Sequence, residues 1–155
     1  MIKTKILERS SLAEGQKTTT KKTTAKFFAG LGRRKRTVAR VWLYAEKGDI
    51  LVNEKPIAES FTREEDIATW VKPFHTVGIS HPSAKFSGTI KVSGGGTTGR
   101  LEAISLGISR ALLAFDPTFE SMLKKQDLLK RDPREVETKK YYRHKARRAP
   151  QYSKR

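Results

Sequence analysis

Cysteine is absent from the 155-residue chain. That excludes a disulfide framework and any thiolate zinc site, and it fits a reducing compartment. No run of about 18 apolar residues occurs, so no membrane-spanning helix is expected. The opening MIKTKILERSSLAEG lacks the apolar stretch of a secretory signal. Hydrophobic residues make up only 36% of the chain, enough for one modest core. The histidines, His75, His81 and His144, show no metal-ligand spacing, so neither a metal nor a cofactor is expected. No Ser-His-Asp order is suggested. The carboxylates of TREED at 62–66 suit a helix start better than acid–base chemistry.

What the chain does have is positive charge, unevenly placed. The net charge is +17. Over residues 1–40, Lys and Arg outnumber Asp and Glu 12 to 2; over 121–155 they do so 13 to 4. Over 41–120 the balance reverses, 8 to 10. A near-neutral body with two cationic ends repels itself unless a polyanion is present. A nucleic acid fits that pattern better than mere solubility or an anionic membrane does.

The hydrophobic pattern divides the chain into residues 1–29, a disordered basic extension; 30–127, a body of mixed strands and helices; and 128–155, an extended basic tail. QKTTTKKTTAK in the first part has low complexity, no apolar face and no acid. Order begins near LGRRKRTVARVWLY, where Ala39, Val41 and Leu43 alternate with Val38, Arg40, Trp42 and Tyr44 in the period of a strand. A turn at Gly48 and the short ILVN predict a hairpin partner. SFTREEDIATWVKPF predicts a helix with a capping box from Thr62 to Glu65, an inward face of Ile67, Trp70 and Val71, and a stop at Pro73. HTVGISHPSA reads as loop. KFSGTIKV alternates again, with Phe86, Gly88, Ile90 and Val92 on one face. TTGRLEAISLGISRALLAF places Leu101, Ile104, Ile108, Leu112 and Phe115 at helical spacing, and Asp116-Pro117 ends it. FESMLKKQDLL adds a shorter helix with Phe119, Met122 and Leu123 inward.

KVSGGGTTGR, residues 91–100, contains G-x-G-x-x-G at Gly94, Gly96 and Gly99. A dinucleotide fold would need further β-α pairs after it, and nothing beyond residue 115 reads as a buried parallel strand. A P-loop would need Lys and a hydroxyl where Arg100 and Leu101 stand, and Leu101 cannot bind magnesium. Two readings remain: a tight strand-to-helix turn without a ligand, or a loop whose free N–H groups at Gly96–Gly99, with Arg100 beside them, receive an RNA phosphate. A nucleotide-binding enzyme built on Gly94–Arg100 and a histone-like DNA-binding protein stand as the alternative functions.

The end TKKYYRHKARRAPQYSKR, residues 138–155, carries 8 Lys and Arg and no acid, interleaved with Tyr141, Tyr142 and Tyr152. Cations neutralise phosphates, and tyrosine or arginine planes stack on unpaired bases. RHKARR also has the composition of a nuclear-import signal.

GRRKRTVARVWL at 32–43, ILVNEKP at 50–56, VSGGGTTGRLEAISLGISRALL at 92–113 and LLKRDPREVETKKYYRHKARRAPQYSKR at 128–155 resemble, in that order, the bacterial-type family of small ribosomal subunit protein nine. The resemblance implies an α+β fold: a small sheet with helices on one side and a left-handed βαβ crossover, similar to domain two of ribosomal protein five, continued by a long basic tail. It implies a non-enzymatic structural role. The partners would be small-subunit ribosomal RNA in the head, neighbouring head proteins and peptidyl-site transfer RNA, with no membrane and no small-molecule substrate. Residues expected on ribosomal RNA are Arg33, Arg34, Lys35, Arg36, Arg40, Gly95, Gly96, Arg100, Arg131, Arg134, Lys139, Lys140, Arg143, Lys145, Arg147 and Arg148. Those expected at transfer RNA are Gln151, Tyr152 and Ser153, which place Lys154 and Arg155 on phosphates of the anticodon stem-loop; a terminal Arg suits a tip that must reach a fixed point. Four positions depart from the family pattern: Arg100 for a common Gln, Thr138 for Arg, Tyr142 for Gly and Tyr152 for Phe. Residues 1–30 have no counterpart in it. With a single Arg, Arg9, and two acids, Glu8 and Glu14, they fit a bacterial cytoplasm better than an organellar leader.

Overall fold

The computed structural model describes residues 26–153. The expected disorder of the N-terminal extension therefore lies almost wholly outside the described residues, as do Lys154 and Arg155. The elements are β1 (Phe27–Arg34), β2 (Thr37–Tyr44), β3 (Ile50–Val52), β4 (Lys55–Pro56), α1 (Ile57–Ser60), α2 (Glu64–Thr76), β5 (Ser87–Ser93), α3 (Thr97–Phe115) and α4 (Glu120–Lys125). Short 3₁₀ turns at Pro82–Ala84 and Pro117–Phe119 join the later ones. The strands make one sheet in the order β1-β2-β5-β3-β4, and only the β3–β5 pairing is parallel. The fold is α+β, with the helices packed on one side of the sheet, as the resemblance implied.

Alternation explains why one face of the sheet is covered. Ala39, Val41 and Leu43 of β2 and Ile90 and Val92 of β5 are buried beneath the helices, while Arg40 and Lys91 are exposed on the other face. On α3, Leu101, Ile104, Ile108 and Leu112 share a buried stripe. Burying each of these larger side chains stabilises the fold by about 2 kcal/mol.

β1 extends order three residues before the expected boundary, to Phe27. Its sequence FFAGLGRR hides the strand because Gly30 and Gly32 occupy central inward positions and a charged Arg34 the last. A Cβ on Gly30 would lie 2.0 Å from the Gly107 carbonyl oxygen, and one on Gly32 1.7 Å from that of Ala103. Glycine is required where α3 lies directly on the backbone of β1.

Several local expectations yield to tertiary structure. β2 and β3 do not form a hairpin: β5 lies between them. The five residues Ala45–Asp49 easily cross the roughly 10 Å that separates alternate strands, and Gly88 N–H donates to the Asp49 carbonyl to tie the crossing down (3.3 Å). The seven-residue β5 pairs on both sides, and those non-local bonds outweigh the local turn. No capping box forms at Thr62: Arg63 holds the N-cap position without a side-chain cap bond, and Glu64, Glu65 and Asp66 complement the first turn. Pro73 does not stop α2, which runs on to Thr76. Phe74, fully buried beside Phe86 with ring centroids 6.2 Å apart, secures the last turn and offsets the missing hydrogen bond. Ile67 and Met122 are exposed rather than inward, whereas Trp70, Val71 and Leu123 are buried. Phe115, 40% exposed, still packs edge-on against Phe28 and Phe86.

Candidate nucleic-acid interface

The fold brings the basic run and the glycine run together. β1 and β2 are joined by a two-residue turn, Lys35–Arg36, with Lys35 at φ +49°. The loop from β5 to α3 lies against it. Gly94 (φ +74°) and Gly95 (φ +61°) occupy the left-handed region, and a Cβ on Gly95 would fall 1.9 Å from Thr37 Oγ1. The glycines thus let the loop wrap the hairpin turn, and Thr37 fills the space against Gly95. Arg100 Nε donates to the Gly94 carbonyl (3.1 Å), closing the loop on itself. Gly96 N-caps α3 without a side-chain partner. Beside it lies an open cleft of about 210 Å³ lined by Lys35, Thr37, Gly95, Gly96 and Gly99. Free N–H groups and the positive end of a long helix make such a cleft attractive to phosphate.

Nucleotide chemistry gains no support from this geometry. Leu101, where a P-loop hydroxyl would stand, is buried in the core at 3% exposure. Among the described residues no strand follows α3, so no crevice for a dinucleotide is completed. No three His, Asp or Glu among the described residues gather as metal ligands, and no helix there is long and apolar enough to cross a membrane.

The expected RNA-facing residues fall into distinct environments. Arg33 and Arg40 are exposed on the open face of the sheet, and Lys35 and Arg36 are exposed at the hairpin tip. Arg36 approaches Glu135 at 3.4 Å. Arg34 differs: it is 8% exposed and its charge is spent internally. Its Nε pairs with Glu102, its Nη2 with Asp132 Oδ2 (2.9 Å), and its Nη1 donates to the Arg134 carbonyl (2.7 Å). Period-two alternation explains the difference, since Arg34 lies on the helix-facing side of β1 and Arg33 does not. Arg34 therefore pins the root of the tail to β1 and α3. The Arg134 side chain hydrogen-bonds Asp132 as well (2.8 Å) and holds its carboxyl well below the usual carboxylate range.

Beyond the pin the chain is almost naked. From Pro133 to Ser153 only Ala146 and Pro150 are even half-buried. Arg147 pairs with Glu137 (2.6 Å), which lowers the carboxyl and raises the guanidinium pKa. The His144 N–H donates to the Arg148 carbonyl (2.8 Å) and Arg143 Nη1 to that of Arg147 (3.1 Å), making a local loop. Arg131, Lys139, Lys140, Arg143, Lys145 and Arg148 form no ion pair among the described residues. Tyr141 and Tyr142 meet edge to face at 5.7 Å, both largely exposed, and Tyr142 takes φ +55°. A left-handed backbone is where glycine is at ease, so the glycine that resemblance leads one to expect there has a physical reason. Gln151, Tyr152 and Ser153 are exposed at the far end.

Sequence reasoning missed the carboxylates Glu102 and Asp132 that neutralise Arg34. They lie 68 and 98 positions away, and no local signal links them. Lys91 is a further exposed cation on β5, its outward position legible from alternation.

A compact domain with an exposed basic hairpin, extended by a cationic and aromatic arm that buries almost nothing, belongs to the class of small proteins shaped around a polyanion. A family model described as ribosomal protein S9/S16 matches residues 32–155, most of the chain. The chain belongs to that family. It is thus an RNA-binding ribosomal protein, a structural part of the ribosome acting in translation, with ribosomal RNA and other ribosomal proteins as its partners.

Proposed function

We propose that the chain is a non-enzymatic constituent of the small ribosomal subunit in a bacterial cytoplasm. It needs no cofactor or metal and takes no small-molecule substrate. The body receives phosphates of head ribosomal RNA on Arg33, Lys35, Arg36, Arg40, Arg100 and the amides near Gly95 and Gly96, with neighbouring head proteins around it. Arg131, Arg134, Lys139, Lys140, Arg143, Lys145, Arg147 and Arg148 neutralise phosphates along the tail's path. Gln151, Tyr152 and Ser153 position Lys154 and Arg155 on the anticodon stem-loop of peptidyl-site transfer RNA. Arg34 serves instead to fix where the tail departs.

The observation that carries this reading is the tail: family membership extends to residue 155, yet the residues from Pro133 to Ser153 bury almost nothing. A chain that gains so little from its own fold gains order from a partner. Deleting Lys154 and Arg155 should weaken transfer-RNA retention a few-fold on purified small subunits and leave subunit assembly intact. Blocked assembly with unchanged retention would remove the assigned role of the tip.

A further inference from the structure

The sheet has a second face, and of the residues expected on RNA only Arg33 and Arg40 lie on it. Outward side chains alternate along β1, β2 and β5. The pairing register sets them in rows: Arg33–Val38–Ser93, Leu31–Arg40–Lys91, Ala29–Trp42–Thr89 and Phe27–Tyr44–Ser87. No Asp or Glu occurs in these rows. Among the described residues no helix covers them, and Phe27 and Leu31 are 53% and 44% exposed.

Two features say what belongs there. First, Arg40 and Lys91 are directly opposed on neighbouring strands, and Arg33 is the diagonal neighbour of Arg40. Like charges facing across a ladder destabilise a sheet, and no carboxylate on this face relieves them. An anion between them would. Second, Trp42 stands two residues along β2 from Arg40, about 7 Å away on the same face. Trp42 is half-buried, and its cross-strand neighbours are the small Ala29 and Thr89, which leave part of the indole open on this face. Tyr44 follows, edge-on to Phe27 at 6.4 Å. Cations at one end and aromatic rings at the other match alternating phosphate and base. An acidic peptide would satisfy the cations and leave the rings unused.

We propose that this open face binds about two or three unpaired ribonucleotides, with phosphates at Arg33, Arg40 and Lys91 and a base stacked on Trp42. It rests on the reading of the chain as an RNA-bound structural protein and adds to it a single-stranded site remote from the tail, with Lys91 and Trp42 as new contacts.

The test uses the full chain. It has two tryptophans. Trp70 is buried with an indole N–H that meets no acceptor, so Trp70→Phe removes no hydrogen bond and leaves Trp42 as the sole reporter. Labelled oligouridylate binding is followed by anisotropy, and Trp42 emission is read in the same titration. Quenching should track binding, and duplex RNA should bind without it. Trp42→Leu should weaken oligouridylate binding about tenfold. Arg40→Ser with Lys91→Ser should shift the quenching midpoint about tenfold with no fall in melting temperature. Oligouridylate that binds while Trp42 emission stays constant overturns the site and leaves the ribosomal role standing. Equal quenching by polyglutamate overturns it in favour of an acidic protein segment. Failure of any RNA to bind overturns both.

Discussion

Residues 27–125 and residues 133–153 treat charge and apolar surface in opposite ways. The first region sets 10 Asp and Glu among its 15 Lys and Arg and buries its large aliphatic side chains between the sheet and the helices. The second has lysines and arginines as its main content and leaves tyrosines 85–91% exposed. Stability resides in the first, while the second presents cations that are largely unpaired among the described residues. They meet at Arg34, whose buried guanidinium joins β1, α3 and the tail root. The difference teaches that a basic residue's neighbours, not its membership of a basic run, decide whether it binds RNA or holds the protein together.

The comparison breaks most sharply if the tail is removed. The eight Lys and Arg of residues 138–155, each meeting one phosphate, would set a log–log salt slope of roughly −6 to −7. Truncation after Glu137 should abolish that share of the slope for a small-subunit RNA fragment, measured from low to physiological salt. Affinity at low salt should fall by about a thousandfold or more. The melting temperature of the body should not move. A truncated protein with an unchanged slope would place the affinity in the body alone.

The reverse experiment damages the body and spares the tail. Gly32→Ala puts a methyl where the Ala103 carbonyl oxygen already lies, 1.7 Å from the ideal Cβ. α3 must lift from β1, at a cost of about 3 kcal/mol. Circular dichroism should show melting lowered by about 15 °C, while the salt slope of any remaining folded protein stays the same. A loss under about 1 kcal/mol would mean that the close approach of α3 to β1 has been overstated.

How much of this was legible depended on whether a signal was local. β2, β5 and α3 were readable because their own side chains repeat with the right period, and the same alternation separates Arg33 from Arg34. β1 was obscured because two of its three buried positions, Gly30 and Gly32, are glycines that suit a helix some 70 residues away, and the third is Arg34. The β3 partner was misread because a turn predicts a hairpin only if no longer strand competes for the edge. Pro73 seemed a stop because the buried Phe74 that holds the last turn acts through Phe86, in another element. The glycine loop was narrowed to two readings by composition, and only the fold shows that Thr37 fills its inner side.

The joint between the regions gives the smallest and most selective effects. Glu102→Ala removes one of two carboxylates from the buried Arg34. Because Glu102 is 41% exposed and Asp132 remains, the cost should be about 2 kcal/mol, below that of stripping a fully buried pair. Asp132→Asn should act less on melting than on the direction of the tail. The chain has no cysteine, so Thr138→Cys offers one place for a fluorescence acceptor, with tryptophan as donor. Asp132 has an ordinary pKa of 3.8, and in the folded chain the Arg134 side-chain hydrogen bond pushes it lower. A depressed carboxyl stabilises fully above its unfolded value, and that contribution fades only as pH falls through the folded value. Energy transfer should therefore stay constant from pH 7 to about 5 in the parent chain, and drop only below about pH 3. The Asp132→Asn chain should show the lower transfer throughout. A parent chain that loses transfer between pH 7 and 5 would show that some other group, and not this carboxylate, holds the arm to the body.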